Sequence, residues 1–323
     1  MRACLSFLII VSDFTRMGDR LLDSIALAAV ASANNHTAPC TITWIRAYGK
    51  GKGKIPDNLD TLRIGDCDLQ IGSTHDYDYK DYAATETAGD CEMHWGDVKN
   101  EGFGRLSPEA AYRQFKDSSA QHRNFLPPWF EEQHMVAAYK RVAATVRSAL
   151  YPLERRSHEL VGIHLRETDK VVALARPADH PFANFMTSAL RNAQLMELMH
   201  AYVAQTLVAQ HHAKHFFIAS DSAGAREALA ANLTSVGLVV AESDGTVLGD
   251  FFLLTQCSKI LQVTRYSTFS MAASVVGDVP LVNFGNSDFH NGVRWWESVL
   301  HLDMPYAHSE LWKQLLEQSE SSS

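Results

Sequence analysis

The fold of this chain is indicated most clearly by residues 160–170, LVGIHLRETDK. The first six residues form an apolar run of the length expected for a buried β-strand. Five charged or hydroxyl side chains follow, from Arg166 to Lys170. Ligands bind at the carboxyl ends of the strands in open parallel sheets. We therefore predict that this strand belongs to a parallel sheet and that its end faces a polar ligand.

Short apolar runs alternate with helical patterns from residue 160 to residue 284. The expected strands are LVGIHL, HFFIAS, VGLVVAES, KILQVT and PLVNF. The expected helices between them are AQLMELMHAYVAQTLVAQ, SAGAREALAANL, GDFFLLTQC and STFSMAASVVG. Continuous apolar strands that alternate with helices are typical of a parallel sheet covered on both faces. The second half of the chain is therefore predicted to be a doubly wound α/β domain.

The first half of the chain shows a weaker form of the same alternation. A strand is expected at residues 4–11, then the helix LLDSIALAAVASA and the strand TITWIRAYG. The polar stretch from about 50 to 104 is too long for a structureless loop in a compact domain, so we expect short strands within it. Helices are expected at 107–115, capped by Ser107, and near 130–150.

The segment YPLERRSH, which follows the second of these helices, marks the expected domain boundary. We predict an N-terminal domain at 1–152 and a C-terminal domain at 153–315. The remaining residues, 316–323, end in a serine run and are predicted to be disordered.

The composition excludes several classes of function. The formal net charge is −8 and the pI is near 6.0, so no basic face for nucleic acid is indicated. Five scattered cysteines form no CxxC pair, which favours reduced thiols over a disulfide scaffold or a structural zinc site. The apolar start, MRACLSFLIIVSDF, is interpreted as a strand rather than a signal peptide.

No segment approaches the roughly 20 apolar residues that span a bilayer. The expected location is therefore cytoplasmic. A Golgi or secretory setting is expected only if the sequence is a truncated piece of a longer chain.

Polar residues follow several of the predicted strands in the second half. Ser220 and Asp221 lie at the end of HFFIAS. Asp250 lies at the start of the predicted helix GDFFLLTQC. The segment YSTFS, residues 266–270, follows another strand and opens a helix. A helix N-terminus with adjacent hydroxyls suits a phosphate, and an arginine can bind the same anion through two hydrogen bonds.

These features together indicate a nucleotide diphosphate site without a P-loop or a GxGxxG motif. In this interpretation a carboxylate at a strand end accepts hydrogen bonds from a ribose or a base edge. The alternative is that Ser267 and Asp250 only cap their helices.

The segment HLRETDK also resembles the H-x-R-x-T-D-K motif of the α1,6-fucosyltransferase branch of the GDP-fucose-dependent glycosyltransferases. The superfamily includes α1,2- and protein O-fucosyltransferases and nodulation fucosyltransferases. The resemblance continues through HPF at 180–182, FFIASD at 216–221 and DFFLLTQCSKILQVTRYSTFS at 250–270. In the first half it is limited to RMGDRLLDSIALA, which resembles the family's glycine-containing first loop and helix.

The resemblance implies a B-type glycosyltransferase fold, with two Rossmann-like domains facing a cleft, and an inverting, metal-independent reaction. The implied partners are GDP-fucose and a glycan or protein acceptor, with no cofactor, metal, nucleic acid or membrane span. The implied role of Arg166 is to hold the β-phosphate. The resemblance leaves the general base open, and Asp169 is our first candidate for it. The implied donor-binding residues are Gly18, Asp19, Arg20, His164, Thr168, Lys170, Asp221, Asp250, Tyr266, Ser267, Thr268 and Ser270.

Several positions depart from the family pattern. Glu167 stands where the α1,6 branch has a second arginine, and Asp19 stands where relatives often have asparagine. The family's proposed base, a glutamate shortly after the T-D-K, has no match between Val171 and Ala178. Asp179 and Glu167 therefore follow Asp169 as candidate bases.

Two alternative functions remain open from the sequence. One is a glycosyltransferase that uses another nucleotide sugar, and the other is a protein that binds a nucleotide sugar without catalysis. The pair His211 and His215 has a spacing that can bind zinc, but a solvated helix end is the preferred interpretation. Trp295 and Trp296 are interpreted as anchors of the C-terminal segment more readily than as walls of an acceptor cleft.

Overall fold

The computed structural model describes residues 5–11, 17–33, 40–46, 63–72, 92–95, 107–117, 126–150, 159–166, 189–263, 267–284 and 296–306. Contacts between Cα atoms divide the chain into two compact units, Met1–Glu154 and Arg155–Ser323. Each unit has its own sheet, of five strands in the first and six in the second. The polar stretch from 50 to 104 does contain short strands, as the sequence predicted.

The first unit is built on a mixed sheet with the strand order β3-β4-β2-β1-β5. Its strands are β1 (Leu5–Val11), β2 (Cys40–Arg46), β3 (Arg63–Ile64), β4 (Cys67–Gly72) and β5 (Glu92–Trp95). All pairings are parallel except β3 with β4. Its helices are α1 (Met17–Ala33), α2 (Pro108–Asp117) and α3 (Glu132–Leu150).

Helix α1 is almost entirely buried and forms the centre of this unit. It packs against α2 and α3, and the Tyr139 hydroxyl of α3 donates to the Leu22 carbonyl of α1 at 3.2 Å. The predicted cap of α2 is confirmed, because the Ser107 hydroxyl accepts from the Ala110 N–H at 3.1 Å.

A disulfide joins Cys40 to Cys67, which corrects the expectation of reduced thiols. The two residues are buried and begin strands β2 and β4, where they are partners in the parallel register. No local pattern indicates this pairing, because the two cysteines become neighbours only when β4 pairs with β2. Cys257 is a free, buried thiol in the second unit.

The second unit is built on a parallel sheet with the strand order β11-β10-β9-β6-β7-β8. Its strands are β6 (Leu160–Leu165), β7 (His215–Ser220), β8 (Val239–Ala241), β9 (Lys259–Gln262), β10 (Leu281–Asn283) and β11 (Leu302–Asp303). Its helices are α4 (Ala189–Tyr202), which continues as a π-helix at Val203–Val208, then α5 (Ala223–Ser235), α6 (Val247–Gln256) and α7 (Thr268–Gly277).

This strand order is that of a doubly wound sheet, in which β6 is the first strand and later strands are added on both of its sides. The chain adds β7 and β8 on one side of β6, and then crosses over to add β9, β10 and β11 on the other. The switch point therefore lies between the carboxyl ends of β6 and β9. Crevices of this kind are where open α/β sheets bind their ligands.

The two faces of the sheet are covered by different helices. Val161, Ile163 and Leu165 of β6 pack into the cluster formed with the buried faces of α4 and α5. Alternate residues of a strand point to opposite faces, so Gly162 and His164 lie on the side of α6 and α7. His164 thus belongs to a helix-covered face, although it lies next to the end of β6.

Gly162 permits the close approach of α6 to the sheet. A Cβ atom at this position would lie 2.7 Å from Leu254 Cδ2 and 2.9 Å from Cys257 Sγ. Both distances are shorter than real Cβ contacts, so a side chain at 162 would require Leu254 and Cys257 to shift.

Most predicted elements of the second half are present, with strands β8, β9 and β10 shorter than expected. Trp296 is buried, in agreement with its interpretation as an anchor, while Trp295 lies outside the described residues. Within the part of the chain that the structure describes, no helix has the length and apolar character needed to cross a membrane.

Candidate functional site

The candidate site is assembled at the carboxyl-terminal end of the parallel sheet, called the rim below. It comprises the residues that follow β6, β7 and β9, together with the first turns of α6 and α7. Leu165 of β6 is the register partner of Ser220 of β7, so Arg166 and Asp221 follow at neighbouring points of the rim. Arg166 is half-buried and Asp221 is exposed.

His164 lies one residue before the end of β6 and is buried. Burial is the main cause that lowers the pKa of His164 to about 3, and Arg166 lowers it further while Asp221 opposes the change. The imidazole is therefore neutral at physiological pH. The opposite effects of Arg166 and Asp221 also indicate that both charges lie near this ring.

The imidazole is held by a hydrogen-bond network with α7 and β9. His164 Nδ1 lies 3.1 Å from the Ser270 hydroxyl, which donates to Gln262 Oε1 at 2.8 Å. The same hydroxyl lies 3.2 Å from the Ser267 carbonyl. His164 and Gln262 are register partners on β6 and β9, which explains why one serine reaches both side chains.

Aromatic rings connect His164 to the first turn of α6. The ring of Phe269 lies 5.3 Å from that of His164 and 5.5 Å from that of Phe251, measured between centroids. The second contact is edge-on, a favourable aromatic geometry. These contacts bring the N-terminal turns of α6 and α7 side by side on the same face of the sheet.

Helix α7 begins at the rim with two buried hydroxyl residues, Ser267 and Thr268. Ser267 occupies the N-cap position, but its hydroxyl makes no capping hydrogen bond. Among the described residues the buried Ser267 Oγ has no hydrogen-bond partner at all. A buried hydroxyl without a partner at a helix N-terminus fits an anion or another acceptor that binds there.

Asp250 lies in the first turn of α6 and is buried. Burial raises the pKa of its carboxyl, although the Ser243 hydroxyl donates to Asp250 Oδ1 and Arg226 favours the charged form. Arg226 Nη1 in turn donates to the Ser243 hydroxyl at 3.3 Å. The interpretation of Asp250 as a helix cap is wrong, because Thr246 caps α6 by accepting from the Gly249 N–H at 2.9 Å.

The three candidate residues of the first unit all lie in the first turn of α1. Gly18 is a buried helical residue rather than part of the preceding loop, and Arg20 is buried beside it. The Arg20 guanidinium lies 5.9 Å from the centroid of the Trp44 ring, whose Nε1–H donates to the Ser24 hydroxyl at 2.9 Å. Asp19 is half-buried and contributes an acidic side chain to the first turn.

Four of the predicted site residues fall outside the described residues, namely Thr168, Asp169, Lys170 and Tyr266. The same holds for the other candidate bases, Glu167 and Asp179. Of the predicted rim residues, the structure describes His164, Arg166, Asp221, Asp250, Ser267, Thr268 and Ser270. Within the described ranges no group of three His, Cys, Asp or Glu residues is arranged to hold a metal ion.

Three residues of the site were not predicted from the sequence. Gln262 is a fully buried polar residue at the end of an apolar strand, a combination that was visible in KILQVT. Ser243, which lies just after β8, and Arg226 of α5 gave no comparable signal, because the chain of hydrogen bonds from Arg226 through Ser243 to Asp250 forms only on folding.

Comparison with protein-family models and with curated proteins gives no match. Comparison with solved structures finds POFUT1 in complex with GDP, at 11% identity and a TM-score of 0.47, over 88% of this chain and 98% of that chain. It also finds NodZ α-1,6-fucosyltransferase co-crystallized with GDP, at 14% identity and a TM-score of 0.42, over 87% and 95%.

A further similar structure is the fucosyltransferase NodZ from Bradyrhizobium, at 12% identity and a TM-score of 0.42, over 87% of this chain and 95% of that chain. The identities of these three structures to this chain are 11–14%, and their TM-scores lie between 0.42 and 0.47.

Proposed function

We propose that the chain is an inverting, metal-independent glycosyltransferase of the B-type fold. It moves L-fucose from GDP-fucose to a hydroxyl group of a glycan or protein acceptor. In this proposal residues 153–315 bind the nucleotide sugar and residues 1–152 form the acceptor side. GDP-fucose is a substrate, and no cofactor takes part.

The observation that carries the proposal is that a cation and a buried hydroxyl, which has no partner among the described residues, both follow strands at the switch point of the sheet. Arg166 follows β6, and the buried Ser267 hydroxyl follows β9 at the start of α7. The switch point of the sheet lies between these two strands. A guanidinium and a helix N-terminus are both suited to phosphate oxygens, so a diphosphate fits between them.

The proposed reaction is a single displacement at the anomeric carbon of the sugar. The acceptor oxygen forms a bond to this carbon while the bond to the β-phosphate oxygen breaks, and GDP leaves with the bonding electron pair. Negative charge develops on the leaving diphosphate, where Arg166 and the donors of Ser267 and Thr268 stabilise it. Preorganised donors of this kind each contribute about 3–4 kcal/mol to the transition state.

The acceptor proton must pass to a base as the new bond forms. We assign this role to Asp169, which follows the arginine by three residues in HLRETDK. Lys170 and Thr168 are assigned to the donor phosphates, with Tyr266 beside them at the start of YSTFS. Gly18, Asp19 and Arg20 are assigned to donor contact from the first unit.

The nucleoside is assigned to the polar groups of the rim that carry no positive charge. His164 is neutral and Asp250 is a buried carboxylate, so both suit the N–H and O–H groups of guanosine better than an anion. Asp221, exposed at the end of β7, is assigned to the same part of the donor.

The test is calorimetric titration of GDP, UDP and ADP into the wild-type protein, Arg166→Ala and Arg63→Ala. Arg63 is an exposed arginine of the first unit, 3.6 Å from Asp68, and serves as the matched control. We expect GDP to bind selectively to the wild type and to Arg63→Ala, and weakly to Arg166→Ala. Equal affinity for the three nucleotides would contradict the proposal.

A second measurement separates an enzyme from a binding protein. GDP-fucose is incubated with a panel of glycan and protein acceptors, and the release of GDP is followed. Release that depends on an acceptor supports a transferase. Selective GDP binding without any release would instead support a nucleotide-sugar-binding protein that does not catalyse transfer.

A further inference from the structure

The Ser270 hydroxyl has one proton and two lone pairs, and three groups of the protein surround it. They are the Nδ1 atom of His164 at 3.1 Å, the Oε1 atom of Gln262 at 2.8 Å and the carbonyl of Ser267 at 3.2 Å. Ser270 is completely buried. Its hydrogen-bonding capacity is therefore used within the protein, which separates it from the residues assigned to direct donor contact.

The chemistry of the three neighbours decides where the protons lie. Gln262 Oε1 and the Ser267 carbonyl oxygen only accept hydrogen bonds, so the Ser270 proton is directed to one of them. His164 can then contact the Ser270 oxygen only as a donor, through an Nδ1–H group. A neutral imidazole carries one N–H, so its other nitrogen, Nε2, keeps a lone pair.

We infer that Ser270, supported by Gln262, is a positioning residue that fixes His164 as the Nδ1–H tautomer and makes its Nε2 atom a hydrogen-bond acceptor for a nucleoside N–H or O–H group. This inference rests on the proposed function for the identity of the ligand. The Nδ1–H tautomer itself is expected in the ligand-free protein and does not depend on the proposed function.

In the Nδ1–H tautomer, His164 is suited to the nucleoside part of the donor rather than to the diphosphate. A neutral imidazole with a free lone pair attracts a hydrogen-bond donor and gives no positive charge to a phosphate. The low pKa of His164, about 3, keeps the ring in this state throughout the physiological range. His164 therefore selects for a nucleoside edge, and the charge of the diphosphate is left to Arg166.

The first test is long-range ¹H–¹⁵N NMR on the full chain labelled with ¹⁵N-histidine, without ligand. The His164 signal is identified by its loss in His164→Gln. We expect the wild type to show the Nδ1–H pattern at pH 7, and Ser270→Ala to show a mixture of the two tautomers. The control is Ser274→Ala, which removes another buried hydroxyl of α7, bonded to the Val279 carbonyl at 2.6 Å.

The second test is donor affinity and turnover in the same variants. Loss of one neutral hydrogen bond to the nucleoside corresponds to a roughly three- to tenfold weaker GDP affinity in Ser270→Ala. We expect KM for the donor to rise with little change in kcat, because the contact is made equally in the ground and transition states. Ser270→Thr, which keeps the hydroxyl, should restore both the tautomer and the affinity.

The outcomes distinguish this inference from the proposed function. An Nε2–H pattern in the wild type, or an unchanged tautomer in Ser270→Ala, would overturn the positioning role even if GDP binds. The wild-type spectrum remains decisive if Ser270→Ala fails to fold. Failure to bind GDP in a protein that shows the Nδ1–H pattern would overturn the proposed function and leave the positioning role intact.

Discussion

Arg166 and Asp221 directly follow Leu165 and Ser220, which are paired in register on β6 and β7. Opposite charges therefore stand at adjacent points of one rim, and both act on the pKa of the same buried imidazole, that of His164. This relationship follows from parallel pairing alone, since residues at the same register level leave the sheet together. Arg166 also borders the switch point, because β6 pairs on its other side with β9.

Replacing Arg166 by alanine should nearly abolish transfer. If the guanidinium stabilises the leaving diphosphate, its removal should lower kcat by about 10²–10³-fold. The variant should unfold at the same temperature as the wild type, because Arg166 lies just beyond the strand end and is only half-buried. The measurements are GDP release from GDP-fucose and thermal unfolding, with Arg63→Ala as control. Unchanged turnover in Arg166→Ala would refute its assigned role.

Replacing Ser267 by alanine should weaken GDP binding without loss of stability. The Ser267 hydroxyl is buried without a partner in the described structure, so the substitution breaks no hydrogen bond within that part of the protein. We expect the free energy of unfolding to change by less than about 0.5 kcal/mol and the Kd for GDP to rise about three- to tenfold.

Ser274→Ala should show the reverse behaviour, since that hydroxyl donates to the Val279 carbonyl far from the rim. Its loss should cost about 1–3 kcal/mol of stability and leave the GDP affinity unchanged. Urea unfolding and calorimetry on the two variants provide the comparison. A large loss of stability in Ser267→Ala would show that the hydroxyl has a structural partner instead.

Asp250→Asn should stabilise the protein at neutral pH and weaken GDP binding. Burial raises the folded-state pKa of the Asp250 carboxyl above its unfolded value, so the folded state favours the protonated form. The corresponding stability is present below about pH 4 and is lost as the pH rises through the folded-state pKa. The asparagine variant should therefore exceed the wild type in stability at pH 7 and match it at pH 3.5.

Urea unfolding at both pH values measures this difference, and Asp303→Asn, at an exposed aspartate, is the control. The same asparagine variant should bind GDP more weakly, because a neutral amide is a poorer acceptor than a carboxylate. A lower stability of Asp250→Asn at pH 7 would contradict the expected sign.

His164 should make the protein more sensitive to acid. Its pKa is about 3 in the folded protein, against about 6.5 in the unfolded chain, so the unfolded state takes up a proton first as the pH falls. Stability should therefore decrease between pH 6.5 and pH 3, by up to about 1.4 kcal/mol per pH unit from this residue.

His164→Gln removes this contribution and should give a shallower dependence of the unfolding free energy on pH. His301→Gln, at an exposed histidine 3.2 Å from Asp278, is the control. Urea unfolding of the three proteins at a series of pH values between 4 and 7 tests the expectation. Equal slopes for the wild type and His164→Gln would rule it out.

The Cys40–Cys67 disulfide should stabilise the first unit. It joins residues separated by 27 positions, and closing a loop of this size in the unfolded chain corresponds to about 3–4 kcal/mol. The double variant Cys40→Ser/Cys67→Ser should lose stability by about this amount. A reductant should lower the unfolding midpoint of the wild type and leave that of the double variant unchanged. No effect of the reductant on the wild type would indicate that the bond is absent.

The second half of the fold was predictable because each of its elements has a local signature. The centres of β6, β7 and β9 are short apolar runs, VGI, FFIA and IL, as is typical of parallel strands buried on both faces. Position at a strand end was enough to predict that Arg166 and Asp221 approach one another. Local patterns could not predict the register that brings Gln262 opposite His164, because register is a property of two strands.

The first half was harder to predict because its sheet is assembled from short pieces. β3 has two residues and β5 has four, which is too short for a periodicity to be recognised. The disulfide was missed for the same reason, since Cys40 and Cys67 belong to strands that become neighbours only in the sheet. The start of α6 was expected near Gly249, but the helix begins earlier, after Thr246, than the apolar pattern indicated.

Gly162 bears on how the chain tolerates random mutation. Because Gly162 has no side chain, Leu254 of α6 and Cys257, the residue that follows this helix, can lie against β6. Asp250 lies in the first turn of the same helix. In a saturation library screened for turnover, substitutions at position 162 should therefore lower activity, and larger side chains should lower it more than alanine. Selection for activity would preserve this glycine although it never meets the substrate, and compensating changes would be expected at 254 or 257 rather than among the ligand-binding residues.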